Sequence, residues 1–131
     1  MSNKIRFKSI VAVYLIVEQG NKTLLLLRKN TGYADGLFGL VSGHVEENES
    51  INEACVREGH EEAGIVLNSE NLDLAYVLQR KEKALTILDF SLELRNMKEL
   101  LPTPSHTNVK NWSSLMLRNY LKILFHTLSI L

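Results

Sequence analysis

Three glutamates, Glu58, Glu61 and Glu62, stand at i, i+3 and i+4 in a segment, Glu49 to Ala63, that contains no proline and only one glycine, Gly59. On a helix with about 100° per residue and Ile51 at zero, Cys55 falls at about 40°, Glu58 at about 340° and Glu62 at about 20°. Glu58 and Glu62 therefore share the face of Ile51 and Cys55, which should look at the core, and Glu61 lies about 80° to the side. Glutamate is rarely buried unless paired, and like charges this close repel and raise at least one pKa. A divalent cation removes both problems. Oxygen ligands alone select a hard ion, Mg²⁺ or Mn²⁺, over zinc. Neither His44 nor His60 stands at a zinc-site spacing, and His60 reads as a surface residue. On angles alone a second reading stays open, a solvated acidic face paired with Arg57 and nearby lysines.

The segment that positions these carboxylates reads as a helix. Asn48 or Ser50 supplies its cap, Glu49 and Glu53 place acid in its first turns, and Gly64 supplies the glycine after its C-terminus. Before it, Ser9 to Val17 is nearly all β-branched or apolar, as in a strand buried on both faces, and Thr23 to Leu27 is its hairpin partner across Gln19-Gly20-Asn21-Lys22. Residues 30–36 have loop composition, and the short run Leu37 to Val41 leads to Ser42-Gly43-His44. After the helix, Leu72 to Arg80 and Ala84 to Leu94 are two more strands around Lys81-Glu82-Lys83, and Asn96 to Lys110, with both prolines, is mostly loop. In the tail Leu117, Leu121, Leu124, Leu128 and Leu131 make a helical stripe, with Tyr120, Ile123, Phe125 and Ile130 around it. So much apolar surface predicts a helix that packs into a homodimer or promotes association.

With 131 residues, 45% apolar and 23% charged, the chain suits one folded domain spanning 1–131. Lys plus Arg and Asp plus Glu number 15 each, a balance that disfavours binding to polymeric nucleic acid. The single cysteine, Cys55, excludes an internal disulfide and any multi-cysteine zinc site, and permits a reducing compartment. No secretory leader or membrane span stands out, so the expected location is cytoplasmic, with no membrane partner.

Gly43, five residues, Glu49, seven residues, then Arg57-Glu58-Gly59-His60-Glu61-Glu62-Ala63-Gly64-Ile65 resembles the Nudix box, G-x5-E-x7-R-E-U-x-E-E-x-G-U, where U is a bulky aliphatic residue. Eight specified positions match, and Gly59 departs where an aliphatic residue is expected. The likeness extends to Asn30-Thr31-Gly32-Tyr33 with Asp35-Gly36, and runs from about residue 8 to residue 95. It implies an α/β fold, a Nudix-like α/β/α sandwich with a central mixed sheet, and the box as a loop-helix-loop.

The resemblance further implies Mg²⁺-dependent hydrolysis of a nucleoside diphosphate linked to another moiety, nucleoside triphosphates included. Glu58, Glu61 and Glu62 are then the metal and base carboxylates, with Glu58 or Glu61 as general base. The backbone carbonyl of Ser42 is an additional metal ligand, and Arg57 with Glu49 orients the carboxylates. The alternative is a non-catalytic Nudix-fold module that binds a nucleotide or a protein. Two residues outside the box are candidate substrate contacts. Arg28 either meets phosphate or is a solvated strand end, and Tyr33 either stacks on a base or merely packs. Asp35 reads as a turn residue and Cys55 as a small core residue.

Gly59 should cost helix stability and remove a packing group beneath the metal site. Val41 and Ser42 stand where many members have proline and glycine. From about residue 105 the tail is atypical: Trp112 aligns with a family tryptophan, but the carboxylate expected before Pro102 is absent and Glu99 is out of register.

Overall fold

The computed structural model describes residues 5–19, 22–28, 32, 34–96, 101–102 and 113–116. The strands are β1 (Ile10–Ile16), β2 (Glu18–Gln19), β3 (Lys22–Leu27), β4 (Phe38–Gly39), β5 (Val41–His44), β6 (Ile65–Val66), β7 (Leu72–Glu82), β8 (Leu85–Leu94), β9 (Leu101–Pro102) and β10 (Ser113–Met116). One α-helix, α1 (Ile51–Ala63), lies between β5 and β6, and a 3₁₀ turn (Ser69–Asn71) precedes β7.

The main sheet has the order β5-β1-β8-β7. β1 runs parallel to β8, whereas β5 and β7 pair antiparallel with their neighbours, so the sheet is mixed as expected. β7 and β8, the two strands read from the sequence, pair as a hairpin in which β7 runs on through Lys81 and Glu82, with a register shift between Leu74 and Tyr76. A second sheet has the order β10-β3-β2, with β4 also on β3, and β6 pairs with β9. The strand character of 113–116 had no period-2 signal strong enough to reveal it. Pro102 takes part in a two-residue pairing opposite Ile65, inside the stretch expected to be mostly loop.

β1 is the sheet's axis. Val13 and Leu15 face α1 together with Leu92, Leu94, Leu72 and Val41, and they meet Ala54, Cys55 and Ala63 of the helix. The opposite face of β1 is buried too, at Ala12 and Ile16, which explains its unbroken apolar composition. The described residues hold this one helix. The second helical layer of the expected sandwich, the leucine stripe of 117–131 and the dimer expectation built on it, together with Trp112 and Glu99, lie outside the described residues.

Ser50 is the N-cap of α1. Its side chain accepts the Glu53 amide, and Glu53 accepts the Ser50 amide in return, a reciprocal capping box. Asn48 does not cap; it occupies a left-handed turn position at φ 62°. Glu49 is therefore outside the helix rather than in its first turn, and its carboxylate is available for a partner elsewhere. Gly64 ends the helix at φ 63°, where its amide bonds back to the last turn.

Gly59 corrects a sequence expectation. It leaves no hole: a Cβ there would lie 3.1 Å from Leu67 Cδ1 and 3.4 Å from Ile65 Cγ1 and Leu15 Cδ2. The volume of the usual aliphatic side chain is already taken by Leu67, Ile65 and Leu15. Gly59→Leu should therefore lower unfolding free energy by about 1–3 kcal/mol through overpacking. Gly59→Ala should stay within about 1 kcal/mol of the parent, because a helix-propensity gain opposes one tight contact that a leucine methyl relieves. Denaturant titration reads both, and a leucine variant as stable as the parent would overturn this packing account.

Candidate active site

The site is built between β5, the end strand of the main sheet among the described residues, and the last two turns of α1. The β1–β5 register pairs Val13 with Gly43 and Leu15 with Val41, and the Val45 amide donates to the Val11 carbonyl at 2.9 Å. In an antiparallel pair the hydrogen-bonded positions alternate. Ser42 and His44 therefore turn their backbone groups away from β1, and β5 is the end strand of the sheet. Those outward groups meet α1. The Ser42 amide donates to Glu62 Oε2 at 3.1 Å, and the His44 carbonyl accepts Arg57 Nη2 at 2.9 Å. The Ser42 carbonyl leaves the strand on the same open side.

Gly43 faces the helix. A Cβ on it would lie 1.9 Å from Glu58 Oε1 and 2.1 Å from Glu58 Cδ. No other residue lets the Glu58 carboxylate lie against the strand in this way.

Arg57 ties the cluster together. Its Nε donates to Glu49 Oε1 at 2.8 Å and its Nη2 to Glu49 Oε2 at 3.1 Å, a two-pronged pair. Its Nη1 donates to Glu58 Oε1 at 2.8 Å and to Glu61 Oε2 at 3.4 Å. Glu49 Oε2 also accepts the Glu46 amide at 2.9 Å. The Arg57 hydrogen bonds hold the Glu49 carboxyl below the usual carboxylate range and push the guanidinium further up. The His44 carbonyl and the Glu46 amide escaped sequence reasoning, since backbone partners leave no residue-type signal.

The carboxylates sit at the rim of the buried stripe, not on it. The buried helix positions are Ala54, Cys55, Gly59 and Ala63. Small residues there let the helix lie close to the sheet, and Glu58 and Glu62 flank the contact. Glu58 is 13% exposed at its side chain and Glu61 56%. Glu62 is exposed as a residue, but its carboxyl end turns in toward Ser42. Burial of that end pushes its pKa up, the Ser42 amide opposes the shift, Glu58 adds to it and Arg28 opposes it.

Arg28, just after β3, thus acts electrostatically on Glu62, while its backbone bonds to Leu37 and Gly36. Asp35 is a turn residue as expected, its Oδ2 accepting the Gly32 amide at 3.1 Å. Tyr33 lies outside the described residues. Cys55 is buried in the core, and burial pushes its thiol up to about 12, which leaves it unreactive.

The donor set suits a hard divalent cation: three carboxylates, one strand-edge carbonyl and no thiol or imidazole among them. As placed, no three His, Cys, Asp or Glu side chains among the described residues converge closely enough to hold an ion. Glu61 is far more exposed than Glu58, and its contact with Arg57 is a long one of 3.4 Å.

Residues 8–113 match the family model for the NUDIX domain, and the chain belongs to the Nudix family. Among curated proteins it resembles the ADP-ribose pyrophosphatase of Methanocaldococcus jannaschii, with 45% identity over 62 residues. That match covers 47% of this chain and 36% of the relative. Among solved structures, a NUDIX hydrolase from Nitrosomonas europaea superposes with TM-score 0.67 at 23% identity, over 94% of this chain and 88% of that one. A MutT/nudix family protein from Enterococcus faecalis gives TM-score 0.62 at 24% identity, over 72% of this chain and 39% of that one. These likenesses show the shared α/β fold with its mixed sheet. Members of the family generally work with a divalent metal. Among the described residues no helix is long and apolar enough to cross a membrane.

Proposed function

We propose that this chain is a Mg²⁺-dependent pyrophosphohydrolase that cleaves a nucleoside diphosphate linked to another moiety, nucleoside triphosphates included. The observation that carries this reading is the Glu58 carboxylate seated against Gly43, beside the outward backbone of Ser42 and among Arg57, Glu61 and Glu62. Such a seat gathers carboxylate oxygens on one side of the helix, with the Arg57 guanidinium holding Glu58 and Glu61 there.

In this reading Glu58, Glu61 and Glu62 hold the cation together with the Ser42 carbonyl. The bound ion supplies charge neutralisation on the phosphate oxygens. Glu58 or Glu61, whichever carries less of the metal, takes a proton from the attacking water. Water oxygen bonds to phosphorus, the bridging P–O bond breaks, and the leaving phosphate departs with the bond pair. Arg57 and Glu49 keep the carboxylates in place rather than touch substrate. Arg28 and Tyr33 are proposed to meet the phosphate and the base respectively. Localisation in the cytoplasm and a homodimer belong to the same proposal.

The test is a panel of nucleotide substrates with Mg²⁺ or Mn²⁺, read as phosphate release after phosphatase coupling. ADP-ribose heads the panel because it is the substrate named for the Methanocaldococcus relative. Nucleotide binding without hydrolysis across the panel would favour a binding module instead. Independently, millimolar Mg²⁺ should raise the melting temperature, since a ligand of the native state stabilises it by mass action. A melting curve unmoved by Mg²⁺ and nucleotide together would count against the metal site.

A further inference from the structure

The sheet face turned away from α1 carries a buried ion pair that the proposed reaction leaves without a role. Asp89, on β8, is 4% exposed. Arg80, on β7, embraces it: Nη2 donates to Asp89 Oδ1 at 3.1 Å and Nε to Asp89 Oδ2, while Nη1 donates to Glu82 Oε1 at 2.6 Å. The guanidinium also lies beside the Tyr14 phenol. Tyr14 is on β1, paired in register with Ser91 on one side and with Ser42 on the other.

A buried charge pair is weak evidence for stability, because desolvation offsets most of its attraction, and apolar replacement is often neutral. Its place in the sheet is informative instead. At a non-hydrogen-bonded antiparallel position the two side chains stand about 5 Å apart at Cβ. Tyr14 is therefore the side chain directly against Ser42, and it is anchored from behind by Arg80 and Asp89. Ser42 is the residue whose amide holds Glu62. A line of contacts thus runs Asp89, Arg80, Tyr14, Ser42, Glu62, crossing the sheet from its buried back to the proposed metal carboxylates.

We propose that Tyr14 is a positioning residue for this site: braced by the Arg80–Asp89 pair, it sets the seat of Ser42 and through it the aim of Glu62 and of the Ser42 carbonyl. This inference rests on the proposed hydrolase reading.

The experiment uses the full chain with Tyr14→Phe, which removes one hydroxyl and keeps the ring, and the paired variant Arg80→Met with Asp89→Leu, which removes both charges. Two readouts are taken. The first is hydrogen exchange at the Ser42 amide, which needs no activity and should quicken in both variants relative to amides elsewhere in β5 and β1. The second is hydrolysis, where kcat should fall by about tenfold or more with KM little changed, the scale for residues that orient metal ligands. A purely structural role would lower the melting temperature without moving kcat. Unchanged Ser42 exchange, or unchanged kcat in both variants, would overturn the proposal. If the parent protein hydrolyses nothing, the hydrolase reading fails on its own, and the Ser42 exchange still decides whether the brace exists.

Discussion

Gly43→Ala should remove nearly all hydrolysis while costing little stability. The added methyl would stand 1.9 Å from Glu58 Oε1 and 2.7 Å from Glu58 Cγ, a separation no real pair of atoms tolerates. What it strikes is the end of a flexible side chain rather than backbone, so Glu58 can swing out into solvent. That movement breaks the 2.8 Å contact with Arg57 Nη1 and takes a carboxylate oxygen from the site. The expected loss in kcat/KM is at least about 100-fold, the upper end of what displaced metal-orienting groups cost. The unfolding free energy should fall by no more than about 2 kcal/mol, since the helix, the sheet and the core are untouched. Steady-state kinetics and a denaturant titration on the same preparation read the two effects separately. An alanine variant that keeps most of its activity would mean that Glu58 does not work from the seat described here.

Glu62→Gln should cost as much activity without any loss of fold. The amide oxygen of glutamine can still accept the Ser42 amide now held at 3.1 Å. Burial already disfavours the charged form of Glu62, so a neutral isostere should melt at or slightly above the parent temperature. Hydrolysis should drop by at least about 100-fold if Glu62 holds the metal as proposed, because an anionic donor becomes a neutral one. The matched control is Glu53→Gln, eight residues nearer the chain start than Glu61 and at the other end of the helix. Glutamine at that position also completes a capping box, so both stability and activity should stay near the parent. Equal activity losses in the two variants would show that helix integrity, not the carboxylate charge, is being measured. Stabilisation by Mg²⁺ should also weaken in Glu62→Gln and persist in Glu53→Gln.

Much of this site was legible in the residues themselves. The spacing of Glu58, Glu61 and Glu62, the helix between Ser50 and Gly64 and the strands around Val13 and Leu92 follow from local rules. Capping, 3.6-residue periodicity and β-branched runs act over a few residues and need no tertiary context. The pairing of Arg57 with Glu49 was expected from the resemblance alone. It became a physical statement only when Ser50, not Asn48, proved to be the cap and left the Glu49 carboxylate outside the helix.

Other features were decided by the tertiary structure. The angle of Glu62 pointed inward, but the helix buries the stripe through Cys55, Gly59 and Ala63, and that rotation depends on how small residues dock on the sheet. Gly59 looked like a lost side chain, yet Leu67 and Ile65 arrive from beyond the helix to take the space. The outward turn of Ser42 and His44 depends on the register of β5 against β1, and a slip by one residue would reverse it. The Arg80–Asp89 pair joins residues nine apart in sequence, and Tyr14 meets it through a parallel pairing of β1 with β8. Contacts of that kind carry no local pattern, because side chains from separate strands are brought together only when the sheet closes around its core.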